Sequence, residues 1–132
     1  MQREMLLRVV RTLALYLFWP AVALVVCGEL AKDQSTLQIE ALAWDKALHF
    51  IAYFGLSGLV CLALRDGRRV LVAAISLILF AGALEIVQGW VGRDMDVFDE
   101  LANALGVLCG AAAGFAVIWL LSAKNLAATR KG

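Results

Sequence analysis

Nine polar residues lie at or near the ends of three apolar stretches, and their side chains are of the types that transfer protons and bind ligands. They are Asp45, Lys46, His49, Glu85, Gln88, Arg93, Asp96, Asp99 and Asn103. If the apolar stretches span a membrane, these residues converge on one side of it. Ionisable groups at membrane depth are costly, so by default they indicate a functional site. We therefore expect the chemistry of this chain there.

The densest part of the pattern lies at the start of the second apolar stretch. Four functional side chains follow one another there: Asp45, Lys46, His49 and Tyr53. At about 100° per residue they fall within an arc of roughly 100° on one helical face. One interpretation is structural, with Asp45 as a helix cap and with His49 and Tyr53 bonded to a neighbouring helix. We favour His49, the only histidine, as a candidate general acid or base, and the other three as ligand-binding residues.

The third apolar stretch carries Glu85 and Gln88, which are three residues apart and share a helical face. Glu85 lies roughly 10 Å below the boundary at Gly92, taking about 1.5 Å per residue. A lone carboxylate is costly to keep charged at that depth unless a basic residue approaches it. Glu85 is therefore the second candidate acid or base, and Gln88 is predicted to bind the ligand. The alternative is a structural ion pair that fixes the order of the helices.

An acidic segment, residues 93–100, leads into the fourth apolar stretch. It completes the predicted ligand-binding set with Arg93, Asp96, Asp99 and, in the stretch itself, Asn103. Gly106, Gly110 and Gly114 then follow at intervals of four residues and form a glycine face that lets another helix approach closely. The partner of this glycine face is either another helix of the chain or a second copy, which would make the protein a homo-oligomer.

The elements that position these residues are predicted to be membrane helices. Hydrophobic residues make up 63% of the 132 and charged residues 17%, against about 45–50% and about 25% in soluble domains. Four stretches, at about residues 12–28, 47–64, 70–92 and 101–123, are each roughly long enough to cross the ~30 Å hydrocarbon core as a helix. We predict an all-α membrane domain, residues 1–132, with four transmembrane helices. The net charge of +1 gives no indication of a nucleic-acid partner.

The basic residues predict the orientation of the chain. Nine of the twelve lie at the termini or between the second and third stretches: Arg3, Arg8, Arg11, Arg65, Arg68, Arg69, Lys124, Arg130 and Lys131. The positive-inside rule then places both termini in the cytoplasm. The polar residues are accordingly expected on the outer, periplasmic side of the cytoplasmic (inner) membrane.

Two motifs within residues 44–114 resemble those of the VanZ-like membrane proteins. The first is Asp45-Lys46-x-x-His49-Phe50-x-x-Tyr53-Phe54. The second is Glu85-x-x-Gln88-x-x-x-x-Arg93-x-x-Asp96-x-x-Asp99-x-x-x-Asn103-x-x-Gly106, with Val91 where many members have proline. The family is named for an accessory protein of glycopeptide resistance that lowers susceptibility to teicoplanin. The resemblance implies a four-helix membrane domain of the bacterial cell envelope, with its shared polar residues on the outer face.

Three functions remain open. We prefer a binding or accessory protein, whose polar site holds an envelope lipid or a lipid-linked envelope precursor such as a glycan. A membrane enzyme would use His49 or Glu85 as acid or base on the same class of substrate, without a Ser or Cys nucleophile. A small transporter or proton path would need several copies. No cofactor and no metal site are predicted, although one histidine among carboxylates would suit magnesium or calcium better than zinc.

Overall fold

A computed structural model describes the backbone of residues 2–30, 39–92 and 96–129, and the side chains of residues 4–30, 44–92 and 96–121. It contains four α-helices and, within those ranges, no strand. They are α1 (Gln2–Leu30), α2 (Ile39–Leu64), α3 (Gly67–Trp90) and α4 (Val97–Thr129). Each helix contains a segment long and apolar enough to cross a membrane. The predicted all-α membrane fold with four spanning helices is confirmed, and the cytoplasmic location of the termini stays a prediction.

Most helix ends lie outside the apolar stretches that predicted them. α1 begins at Gln2, because the long side chains of Arg8 and Arg11 can reach a membrane interface from a helical backbone. α2 begins at Ile39, so Asp45 lies inside this helix and does not cap it. α3 ends earlier than predicted, at Trp90. Shortly after it, Gly92 has a φ of 86°, a conformation that glycine adopts without steric cost.

The closest helix packing is between α2 and α4, along the glycine face. A Cβ atom added at Gly106 or Gly110 would collide with the backbone of α2, and one at Gly114 would lie 2.7 Å from the Cβ of Cys61. Only glycine allows this approach. The glycine face is therefore filled by α2 of the same chain. A homo-oligomer remains a prediction, and it would have to use another surface.

The interior and the exterior of the bundle are both apolar. The core contains Tyr53, Leu56, Val60, Ala74, Leu77, Ala81 and Val107. Large apolar side chains also point outward, among them Trp19, Leu79 and Trp119. A soluble monomer rarely exposes so much contiguous apolar surface, whereas a bilayer solvates it. The buried polar side chains therefore need partners inside the bundle, because neither its apolar core nor its apolar exterior provides them.

The end of the bundle formed by the α2–α3 turn is held by polar contacts to the backbone. Asp66 caps α3 by accepting a hydrogen bond from the backbone N–H of Arg69 at 2.9 Å. Arg65, with a φ of 59°, donates from its guanidinium to the carbonyl oxygen of Leu7. This contact ties the turn to the beginning of α1, and the predicted site residues lie at the opposite end of the bundle.

Candidate functional site

Side chains from all four helices meet at the end of the bundle where α1 and α3 end and α2 and α4 begin. We call this set the polar cluster. It consists of Glu29, Asp45, Lys46, His49, Tyr53, Glu85, Gln88, Asp96, Asp99, Glu100 and Asn103. The alternating direction of successive helices brings these four ends together, although the residues are far apart in sequence.

Lys46 joins α2 to the start of α4. Its Nζ lies 2.5 Å from Asp96 Oδ2 and 2.8 Å from Asp99 Oδ1. Asp96 also accepts a hydrogen bond at 2.8 Å from the backbone N–H of Phe98, as the residue preceding a helix commonly does. The ammonium group of Lys46, assisted by that N–H, lowers the pKa of Asp96 below its ordinary value. The positive charge of Lys46 is thus already shared by two carboxylates of α4.

His49 is buried and has acidic neighbours around both ring nitrogens. Nδ1 lies 3.1 Å from Asn103 Oδ1 and 3.5 Å from Glu29 Oε1. Nε2 lies 3.8 Å from Asp99 Oδ2 and 3.9 Å from Asp45 Oδ2. Because an amide oxygen only accepts hydrogen bonds, Nδ1 is the nitrogen that donates to Asn103. The ring is positioned to hold or pass a proton among these carboxylates.

Glu85 and Gln88 bind the backbone of neighbouring elements. The carboxylate of Glu85 accepts a hydrogen bond at 2.6 Å from the backbone N–H of Asp96. Gln88 Nε2 donates at 2.9 Å to the carbonyl oxygen of Glu29. Both side chains are buried. They therefore fix the ends of α1 and α4 against α3, as a structural role for Glu85 requires.

Three polar atoms in the cluster are buried and make no hydrogen bond of ordinary geometry to the part of the chain that the structure describes: the hydroxyl oxygen of Tyr53, Oε2 of Glu100 and Nδ2 of Asn103. Tyr53 is fully buried, and Asn103 lies beside the Glu100 carboxylate. A buried polar group left unsatisfied costs about 1–3 kcal/mol. Such groups usually mark ordered water, an ion or a ligand-binding role.

The structure brings together all but one of the predicted site residues and adds two that the sequence reading missed. Arg93 lies outside the described residues. The two additions, Glu29 and Glu100, are acidic residues at helix ends on the same side as the rest. That position was the available signal, but it is also typical of a solvated helix boundary. Their places in the polar cluster follow only from helix packing. Glu29 enters it because α1 packs against α3, and Glu100 because it faces Gly82, where an added Cβ would lie 3.8 Å from its Oε1.

Acidic groups outnumber basic ones in the polar cluster. The carboxylates are Glu29, Asp45, Glu85, Asp96, Asp99 and Glu100, and the basic side chains in the described ranges are Lys46 and His49. A low-dielectric site with such a surplus attracts groups that donate hydrogen bonds or carry positive charge. Hydroxyls, amines and metal cations are therefore the chemistry that this site accommodates best.

Comparison with known proteins identifies one family. The family model described as VanZ/LLP1 matches residues 3–121, which is nearly the whole chain and includes the described part of the polar cluster. No curated protein and no solved structure matches the chain.

Proposed function

Because the chain belongs to the VanZ/LLP1 family, we propose that it is a membrane protein whose polar cluster binds a cell-envelope lipid or a lipid-linked glycan. We base this on one observation above all: an acid-rich, largely buried cluster with unsatisfied polar atoms lies at one end of a bundle of spanning helices. A fold that keeps such atoms unsatisfied loses stability, and a bound ligand would satisfy them.

The depth of the polar cluster suits the head group of a lipid. Trp44 and Trp90 are exposed on α2 and α3 at this end of the bundle, and tryptophan is enriched at membrane interfaces. A head group at that interface would meet Asp45 and Lys46, two of the more accessible side chains of the cluster, while its chains remain in the bilayer. The ligand therefore needs no path through water.

The charges favour a sugar over a simple anionic head group. Lys46 is already held by Asp96 and Asp99, so its positive charge is not free for a phosphate. Hydroxyl and amino groups of a glycan donate hydrogen bonds, and carboxylate and amide oxygens accept them. A lipid-linked glycan precursor of the envelope is thus the ligand class that we propose.

The basic residues at the other end of the bundle suggest the location of the site. By the positive-inside rule, we place the polar cluster on the outer side of the bacterial cytoplasmic membrane, where lipid-linked glycans are displayed. A protein that holds such a precursor changes how a glycopeptide such as teicoplanin reaches it. An effect on teicoplanin susceptibility belongs to this proposal.

A membrane enzyme is the second candidate, and the surroundings of His49 favour it. Nδ1 donates to Asn103, which orients the ring, and Nε2 faces the carboxylates of Asp45 and Asp99. An oriented imidazole beside carboxylates is an arrangement used in general acid–base catalysis. Here His49 would transfer the proton on the same envelope ligand, with Glu85 as the second candidate.

The first test is to identify the lipids that remain bound to the purified full-length protein by native mass spectrometry. We expect wild type to retain a lipid-linked glycan, and Asp99→Asn to lose most of it. Asp66→Asn, which removes a carboxylate from the other end of the bundle, serves as the control and should retain it. Equal retention by wild type and Asp99→Asn would contradict a ligand site in the polar cluster.

The binder and the enzyme differ in the behaviour of His49. If the protein is an enzyme, wild type converts the retained glycolipid to a new species over time, and His49→Asn retains the unconverted form. If it is a binder, no conversion occurs with either protein. The same mass spectra distinguish the two outcomes, because both forms of the ligand are seen directly.

A further inference from the structure

One gap in the polar cluster is bordered by three potential ligand atoms from two helices. They are Nε2 of His49, one carboxylate oxygen of Asp45 and one of Asp99, and all lie within 4.8 Å of one another. Nε2 is 3.8 Å from Asp99 Oδ2 and 3.9 Å from Asp45 Oδ2. These distances are longer than the 2.7–3.2 Å or so of an N–H···O hydrogen bond. They leave room for a metal ion at about 2.0–2.4 Å from each atom.

The hydrogen bond on the other side of the ring determines what Nε2 presents to this gap. Asn103 presents Oδ1 to the ring, at 3.1 Å from Nδ1, and because an amide oxygen only accepts, Nδ1 carries the proton. In a neutral imidazole whose Nδ1 carries the proton, Nε2 has a lone pair. That lone pair faces two carboxylate oxygens, an arrangement that is repulsive unless a cation lies between them.

The same arrangement is characteristic of metal-ligating histidines. They almost always donate their second ring N–H to an oxygen acceptor, which fixes the tautomer and the direction of the ring. The side chains of His49 and Asp99 are 5% and 8% exposed, so bulk water does little to offset the repulsion. Nε2 therefore faces both carboxylate oxygens from beyond hydrogen-bond distance, as the nitrogen of a metal ligand would.

We propose that Asp45, His49 and Asp99 bind one divalent cation, each through a single atom. The three carboxylates of Asp45, Asp96 and Asp99 balance the charges of the cation and of Lys46. The mixed oxygen and nitrogen ligands suit a cation such as Mn²⁺. Asp45 is the more exposed ligand, with 37% of its side chain accessible. The cation therefore keeps open coordination positions on that side, towards the membrane interface.

The open positions connect the cation with the ligand, and this step rests on the function proposed above. A cation in an acidic cluster accepts an oxygen of a phosphate or of a sugar hydroxyl. The glycan would donate hydrogen bonds from its hydroxyls to carboxylates of the polar cluster that are not cation ligands, while the cation would take the phosphate of the same precursor. One site would then accommodate both parts of a lipid-linked glycan.

The test uses the full chain in detergent, stripped of metal with a chelator, with no lipid added. Mn²⁺ alone is titrated, and free Mn²⁺ is followed by its EPR signal. We expect one Mn²⁺ per chain, and a loss of affinity of about ten-fold or more in both His49→Ala and Asp99→Asn. Glu85→Gln is the matched control, because it removes a buried carboxylate of the same cluster that is not among the three ligands, and its affinity should change by less than about three-fold, within the general effect of one charge.

Two results would overturn the cation site. One is the absence of stoichiometric Mn²⁺ binding by folded wild type, which would leave a proton as the cation in the gap. The other is an equal loss of affinity in Glu85→Gln and Asp99→Asn, which would indicate only general attraction by acidic groups. Asp99→Asn is nearly isosteric, so this comparison holds even if His49→Ala does not fold. Because the titration contains no lipid, a failure to bind Mn²⁺ would not contradict the envelope-ligand proposal. Likewise, a failure to retain a glycolipid in the native mass spectra would not contradict the cation site.

Discussion

α2 and α4 contact each other in two regions that are built in opposite ways. Along the glycine face, backbone lies against backbone, and no side chain larger than hydrogen fits at Gly106 or Gly110. At the polar cluster the same two helices meet through Lys46, His49 and Asp99. The first contact contains no charged side chain and leaves no space for a larger one, whereas the second contains charged groups and unsatisfied atoms. The first therefore stabilises the fold, whereas the second is the contact that we propose to serve a ligand at some cost in stability.

The largest effect should come from the glycine face. In Gly110→Ala the added methyl group meets the backbone of Phe54, which no rotamer change can avoid. We expect a loss of about 2–3 kcal/mol or more in the free energy of unfolding, measured in detergent by thermal denaturation. Gly55→Ala is the matched control on α2, because its added Cβ has no atom within 4 Å. Similar melting temperatures for the two variants would show that the tight contact is not what stabilises the bundle.

The next effect should come from the ion pairs of the polar cluster. Lys46→Met removes the ammonium group that lies between Asp96 and Asp99 and leaves two carboxylates without their partner. Because Lys46 and Asp96 are partly exposed, water screens the loss, so we expect a fall in melting temperature of a few degrees, smaller than that of Gly110→Ala. Arg68 is an exposed residue at the other end of the bundle, and Arg68→Met is the control for the loss of one positive charge. In the double variant Lys46→Met with Asp99→Asn, part of the stability should return.

pH distinguishes the two regions further. Lys46 lowers the pKa of Asp96 below its ordinary value of 3.8, so the charged carboxylate contributes stability above that value. The contribution disappears as the pH falls through the lower pKa of the folded state. The difference in melting temperature between wild type and Asp96→Asn should therefore narrow below about pH 4. The difference between wild type and Gly110→Ala should stay constant over the same range, since no titrating group is involved.

Sequence reasoning predicted the membrane helices because the length of an apolar stretch and the charges that interrupt it are local properties. It also predicted that His49, Glu85 and Asp99 share one side, because alternating spans place their ends in turn. The burial of Glu29 did not follow, since it depends on Gln88 of α3 reaching the end of α1. The partner of the glycine face did not follow either. The four-residue spacing of the glycines indicates that another helix can pack closely there, and only the structure of the bundle identifies that helix as α2.

The smallest effect should be a gain in stability within the polar cluster. Tyr53→Phe removes only a hydroxyl that is buried without an ordinary hydrogen bond in the described structure, while the ring remains packed in the core. We expect an increase of about 1 kcal/mol in the free energy of unfolding of the ligand-free protein. Tyr16, the only other tyrosine, is exposed on α1, so Tyr16→Phe should leave the free energy of unfolding unchanged. If Tyr53→Phe is both more stable and poorer in retained glycolipid, the hydroxyl serves the ligand. If it is less stable, the hydroxyl already has a partner in the fold, and the contrast between the two regions is weaker than the structure indicates.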